Sequence, residues 1–250
     1  MASDSKPAVR VGTAGWSLPR AVQEHFPGEG PHLARYARVF PAAEINSSFH
    51  RPHKPSVYAR WAAATPESFR FAVKIPKTIT HLAKLVDSDE ALGTFLGEAT
   101  TLGERLDCLL VQLAPSLQLD ESVARKFFAT LRDRWAGDVV LEPRHATWFT
   151  ADAHAMLVDH RVGRVGADPL RAPGGDIAGG WPGIAYYRLH GSPRTYYSSY
   201  DASYLVSLAE RLTAHQGEGQ RVWCIFDNTA SGAAAGNALD LIRLLGASTR

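Results

Sequence analysis

One feature constrains this chain more than any other: short apolar runs alternate with helix-like segments from one end to the other, without interruption. Eight runs have the length and the β-branched and aromatic content of strands: Val9–Gly15, Phe40–Asn46, Phe69–Pro76, Asp107–Pro115, Asp138–His145, Arg161–Asp168, Gly183–Gly191 and Arg221–Thr229. Between them, Pro31–Val39, Pro55–Ala63, Asp89–Arg105, Asp120–Trp135, Ala151–Asp159, Ala202–His215 and Ala233–Leu245 read as helices, with Asp120 and Asp201 as N-caps. Such a rhythm implies a parallel sheet covered by helices. The predicted fold is therefore α/β, a single TIM-type (β/α)8 barrel over residues 9–250 behind a flexible N-terminus at residues 1–8, with an open doubly wound sheet as the alternative. The sixth helix is replaced by an irregular loop, "RAPGGDIAGGWPG", too rich in Gly and Pro to wind.

Composition narrows the function classes. Hydrophobic residues at 45% and charged residues at 21% describe an ordinary globular chain with a sizeable core. A net charge of +2 gives no whole-molecule field for wrapping a nucleic-acid backbone. Cys108 and Cys224 lie in apolar runs without CxxC spacing, so reduced, buried thiols are expected, as in a cytoplasmic protein. The opening "MASDSKPAVR" has no apolar signal region, and no apolar stretch approaches the roughly 18 residues that span a bilayer, so no membrane partner is expected.

Side chains alternate across a strand, so a barrel assigns inward and outward sets. In "FRFAVKIP" Phe71, Val73 and Ile75 point outward, leaving Ala72, Lys74 and Pro76 inward. The same rule turns inward Glu44 and Asn46, then Leu110, Gln112 and Ala114, then Val140, Glu142 and Arg144, then Tyr186, Arg188 and His190. In strand after strand the inward residue changes from apolar to polar toward the C-terminal end, the end at which barrel enzymes build their sites.

The segments "VGTAGWS" (11–17), "EINSSFHR" (44–51), "WAAATPESFRFAVKIPKTITH" (61–81), "VQLAPS" (111–116), "EPRHATWF" (142–149), "YYRLHG" (186–191) and "FDNTASGAAAGNAL" (226–239) closely resemble the YecE-like family, domain of unknown function family 72. The likeness runs over nearly the whole chain in the same order. It implies a TIM-type barrel and supplies no agreed activity. The chain departs from the family pattern after Trp16 and Ser17, where "LPRAVQEHFPGEG" replaces a longer, aromatic-rich loop.

The tips carry several kinds of chemistry. Glu44 and Glu142 are candidate acid/base carboxylates, with Asn46, Arg144 and His145 beside them. A purely structural arrangement would pair Glu44 with Lys74, and Glu142 with Arg188 or Lys74. Arg188 and His190 end the seventh strand, and Asn228, Ser231 and Gly232 lead into the last helix, whose free N–H groups suit a phosphate; ordinary capping by Asn228, Thr229 or Ser231 is the plainer reading. His50, His53, His81, His145 and His190 lie at or past strand ends, where with Glu44, Glu142, Asp168 and Asp227 they offer metal-type ligands, but without strong metal-motif spacing, so a divalent metal is not favoured and the cofactor is unknown.

Around the rim, Arg51, Lys54, Lys77, His81, Lys84 and Arg194 interleave with Phe49, Trp148, Tyr196, Tyr197 and Tyr200, a pattern suited to a nucleotide or a single strand of nucleic acid. Lys74 as a Schiff-base former is disfavoured by its neighbouring carboxylates. Three readings follow. The first is a hydrolase- or lyase-type enzyme on a phosphorylated or nucleotide-like substrate, with Arg144 and Arg188 on the anion, Glu142 as base and His190 as acid. The second is a glycosidase using Glu44 and Glu142, with Trp16 and Trp148 as sugar platforms. The third is a non-catalytic barrel that binds a nucleotide or nucleic acid.

Overall fold

The computed structural model describes residues 8–247; residues 1–7 of the N-terminal segment expected to be flexible lie outside the described residues. Its strands are β1 (Arg10–Thr13), β2 (Ala42–Ile45), β3 (Arg70–Lys74), β4 (Leu106–Gln112), β5 (Asp138–Glu142), β6 (Val162–Arg164), β7 (Gly166–Asp168), β8 (Gly179–Gly180), β9 (Ile184–Leu189) and β10 (Arg221–Phe226). They form a four-stranded sheet in the order β1-β10-β9-β7 and a six-stranded sheet in the order β2-β3-β4-β5-β6-β8. All pairings are parallel except that of β8 with β6. The fold is thus mixed α/β with mostly parallel sheets.

This differs from the single eight-stranded sheet expected, at two places with physical causes. The expected strand Arg161–Asp168 breaks at Val165, so that β6 pairs with β5 and β7 pairs with β9; the Val165 N–H donates to the Leu141 carbonyl at 2.8 Å. At the other junction β1 and β2 meet only through a parallel bridge between Ala14 and Glu44. The Tyr36 phenol is inserted between these strands: it accepts from the Thr13 N–H at 2.8 Å and donates to the Ala42 carbonyl at 3.0 Å, replacing ladder hydrogen bonds. Gly12 makes the approach possible, because a Cβ there would lie 2.1 Å from the Ala42 carbonyl oxygen.

The helices are α1 (His32–Tyr36), α2 (Ser47–His50), α3 (Pro55–Ala63), α4 (Asp89–Ala99), α5 (Glu121–Arg134), α6 (Ala151–Asp159), α7 (Ala202–Gly217) and α8 (Ala233–Ala247). Asp120 and Asp201 cap α5 and α7 as expected, accepting from the Val123 N–H at 3.1 Å and the Tyr204 N–H at 2.8 Å. The helix expected to run to Arg105 leaves α geometry at Ala99 and continues as a 3-10 turn in which Gly103 has φ of 58°. Between β7 and β9 the chain is irregular apart from β8, as the Gly/Pro-rich sequence implies. The one-turn helix α2, unanticipated, follows β2 directly and carries Phe49 and His50 beside the strand tips.

Period-two alternation sorts the core as expected. Phe71, Val73 and Ile75 join the cluster beneath the helices, with Leu109, Val111 and Leu113. Ala72, Leu110, Val140 and Tyr186 join a second cluster, with Trp223 and Ile225, that draws on both sheets. Burial of each Val, Leu, Ile or Phe among these contributes about 1.5–3 kcal/mol. Toward the C-terminal ends that inner face turns polar, and Glu44, Lys74, Gln112, Glu142, Arg188, His190 and Asp227 are all buried there.

Candidate functional site

Arg188, on β9, is completely buried and organises the tips. Its Nε and Nη2 donate to the two oxygens of Glu44 at 3.0 and 2.7 Å. Nη1 donates to Glu142 and, at 3.2 Å, to Gln112; Nη2 also reaches Asp227 at 3.1 Å. All five guanidinium N–H groups are therefore spoken for. Tyr186 adds a 2.7 Å hydrogen bond to Glu44. The expected pairing of Glu142 with Arg188 is present, whereas Glu44 pairs with Arg188 instead of Lys74.

His190 closes the network, with Nδ1 2.9 Å from Asp227 and Nε2 3.4 Å from Glu142. Burial disfavours its charged form, but Glu142 and the Asp227 hydrogen bond prevail and raise its pKa. Burial alone would raise the Glu142 carboxyl; Arg188, His190 and Arg144 hold it well below the usual range. Asp227 is lowered in the same way, burial being overcome by Arg188 and His190. Arg144, at the next position inward from Glu142, donates from Nε to Glu142 at 2.9 Å and stands closer to the opening.

Lys74 differs from these. It is buried at the tip of β3, yet among the described residues its ammonium forms no ion pair or hydrogen bond, only a contact 3.9 Å from the centre of the Phe49 ring. Burial and then Arg188 push its pKa down to about 8, with Glu142, Glu44 and Asp227 only partly opposing them. His81 is lowered by burial and by Lys74 and Arg144, so its neutral form is favoured beside those two cations. With His190 protonated, four cations face three carboxylates. The mouth carries surplus positive charge.

A model of "Protein of unknown function DUF72" matches residues 10–250. The chain belongs to the DUF72 family. YecE of Escherichia coli K12, a UPF0759 protein, is 33% identical over 105 residues, a stretch spanning 42% of this chain and only 37% of that relative. A DUF72 protein of Enterococcus faecalis V583 has the same fold, with a TM-score of 0.81 at 20% identity over 96% of each chain. So does one from Thermotoga maritima MSB8, with a TM-score of 0.77 at 24% identity over 95% of this chain and 99% of that one.

Several residues anticipated at the DUF72 site stand elsewhere. Trp148 is fully buried and donates its indole N–H to the Leu117 carbonyl at 3.0 Å, so it is no platform for a ligand. Tyr200 is likewise buried, its hydroxyl donating to Asp168 at 2.6 Å. Trp16 packs edge-on against Trp61, their centres 5.1 Å apart. His145 turns to Thr147, its Nδ1 3.1 Å from the hydroxyl oxygen.

The expected anion seat at the start of α8 is occupied by the protein itself. Asn228 donates to the Ser198 carbonyl and to Asn237, both at 2.9 Å, and Ser231 to the Tyr197 carbonyl at 2.5 Å. A Cβ at Gly232 would meet Pro19 at 2.9 Å, and the cleft there holds about 10 Å³, no more than a water needs. Asn46 remains at its tip, half-buried, with its side-chain oxygen unpaired among the described residues.

Among the described residues no three of His, Cys, Asp and Glu converge as metal ligands. The two cysteines are free and buried. No helix among the described residues is long and apolar enough to cross a membrane. The rim residues Arg51, Lys54, Lys77, Lys84 and Arg194 are exposed, with Arg194 4.0 Å over the Tyr197 ring. Asp227, Gln112 and Tyr186, marked in the sequence only as a metal-type ligand and as inward-facing strand residues, are central to the network. Alternation along "RVWCIFDN" would have put Asp227 on the inner face with Trp223 and Ile225.

Proposed function

We propose that this DUF72 protein is a closed eight-stranded barrel enzyme that takes a phosphorylated or nucleotide-like small molecule at its strand tips and acts on it by hydrolase- or lyase-type acid/base chemistry. Closure is supported by the Ala14–Glu44 bridge, by the single residue separating β6 from β7, and by an inner cluster drawn from both sheets.

One observation carries the anion reading: among the described residues Lys74 is a buried ammonium without an ion-pair partner. Retaining a buried charge unpaired is costly, and an anionic ligand is the partner that offsets the cost. Lys74 and Arg144 grip that anion. Arg188, with every donor engaged, holds Glu44, Glu142 and Asp227 in place instead of touching the ligand. Glu142 stays ionised and orients His190, whose imidazolium is the proton donor. A glycosidase pair of Glu44 and Glu142 has no comparable support, because both carboxylates already share Arg188.

The test is a thermal-shift comparison of wild type and Lys74→Met with phosphorylated sugars, nucleotides, oligonucleotides and neutral sugars. At 100 times its Kd a ligand stabilises by about 2.7 kcal/mol. Shifts with phosphorylated compounds in the wild type alone are expected. Shifts with neutral sugars only, or equal shifts in both proteins, overturn the reading.

A further inference from the structure

The Phe49 ring that carries the Lys74 ammonium also forms a wall of a second feature, a groove of about 430 Å³ between α2 and α4. Its volume falls within the range of small-molecule sites. Phe49, Pro52, Pro76 and Phe95 supply apolar walls, and Thr94 and Glu98 supply polar atoms. Glu98 is half-buried with no ion pair among the described residues, so its oxygens stand beside an apolar surface without a charged partner. Groove and mouth thus share one aromatic ring, and on the groove side the apolar walls stand among Arg51 and Lys77 as well as the acidic Asp87, Glu90 and Glu98.

The geometry points to a nucleobase subsite: the groove takes a planar base bearing an exocyclic amino group, while the attached phosphate reaches Lys74 and Arg144. A flat ring suits the Phe and Pro walls, since every base has a π-face that packs on aromatic surface. The amino group suits the Glu98 carboxylate, a group with acceptors only when ionised. This rests on the anion reading given above and narrows it: the ligand is a nucleoside monophosphate or a larger molecule containing one, not a sugar phosphate.

Calorimetric titration with AMP, IMP and ribose 5-phosphate tests it on wild type, Thr94→Trp and Lys74→Met. Thr94 is exposed on α4, so a tryptophan there fills the groove without entering the core. AMP is expected to bind wild type at least about tenfold more tightly than ribose 5-phosphate, from base stacking, with IMP between them. Thr94→Trp is expected to abolish that preference and leave ribose 5-phosphate binding unchanged.

If AMP and ribose 5-phosphate bind alike and both depend on Lys74, the groove proposal falls and the anion reading stands. If AMP keeps its advantage in Thr94→Trp, the proposal falls as well. If phosphorylated compounds bind Lys74→Met as well as wild type, the anion reading fails and takes this subsite with it.

Discussion

Arg188 and Glu44 form a two-pronged ion pair, at 3.0 and 2.7 Å, that joins β9 of the four-stranded sheet to β2 of the six-stranded sheet, with neither side chain exposed to solvent. The pair is a cross-brace between sheets that share few ladder hydrogen bonds, and it sits where the ligand is expected. Its strength depends on shape as well as charge, because a planar guanidinium meets both carboxylate oxygens at once.

Arg188→Met leaves Glu44, Glu142 and Asp227 buried without their common cation. It should destabilise the fold by about 3–5 kcal/mol, read from urea unfolding. Adding Glu44→Gln removes one of the stranded charges, so the double variant should lose less than the two single losses combined. Strict additivity would mean that the pair is not a brace.

Lys74→Met should do the opposite. The folded pKa of Lys74, about 8, lies below the ordinary lysine value of 10.5. The charged form is thus penalised in the native state, by roughly 3 kcal/mol on the usual conversion. Between these two pKa values the unfolded chain binds more protons than the folded one, so wild-type stability from this group rises with pH across that window. The variant should therefore be more stable than wild type near pH 7 by a few kcal/mol, with the difference shrinking as the pH climbs from about 8 toward 10.5. Equal stability at both ends would show that Lys74 carries no penalty.

At the other side of the brace, Gly12→Ala would drive a methyl into the Ala42 carbonyl, backbone against β-carbon with no flexible side chain to give way. Tyr36→Phe removes the hydroxyl that links Thr13 to Ala42 and should cost about 1–3 kcal/mol. Gly12→Ala should cost more than Tyr36→Phe in thermal unfolding. The reverse order would mean that β1 and β2 have room to separate.

How far the sequence could be read follows from what each signal encodes. Period two is written into every strand, so the inward placement of Lys74, Gln112, Glu142 and Arg188 was legible residue by residue. Which inward group meets which is set by neighbours across strands, and nothing local in "YYRLHG" or "AAEIN" states that Arg188 chooses Glu44. Trp148 misled because an aromatic beside "EPRH" looks the same whether it faces a ligand or turns beneath Leu117. The polar run after β10 misled for a related reason: small residues before a helix bind an anion only if nothing else uses them, and here Ser198, Tyr197 and Pro19 do. Lys74 is harder to read, because the sequence sets carboxylates beside it that the fold gives to Arg188.

The most direct measurement is the pH dependence of ribose 5-phosphate binding by calorimetry, in wild type and in Lys74→Gln. The phosphate is close to dianionic throughout, its second pKa being about 6, so a change in affinity reports on the protein. Wild type should bind near pH 7 and weaken by about tenfold or more by roughly pH 9.5, as Lys74 gives up its proton; Lys74→Gln should bind weakly at both. Affinity in wild type that does not fall with pH, or a variant that binds like wild type, would contradict an anion site built on Lys74.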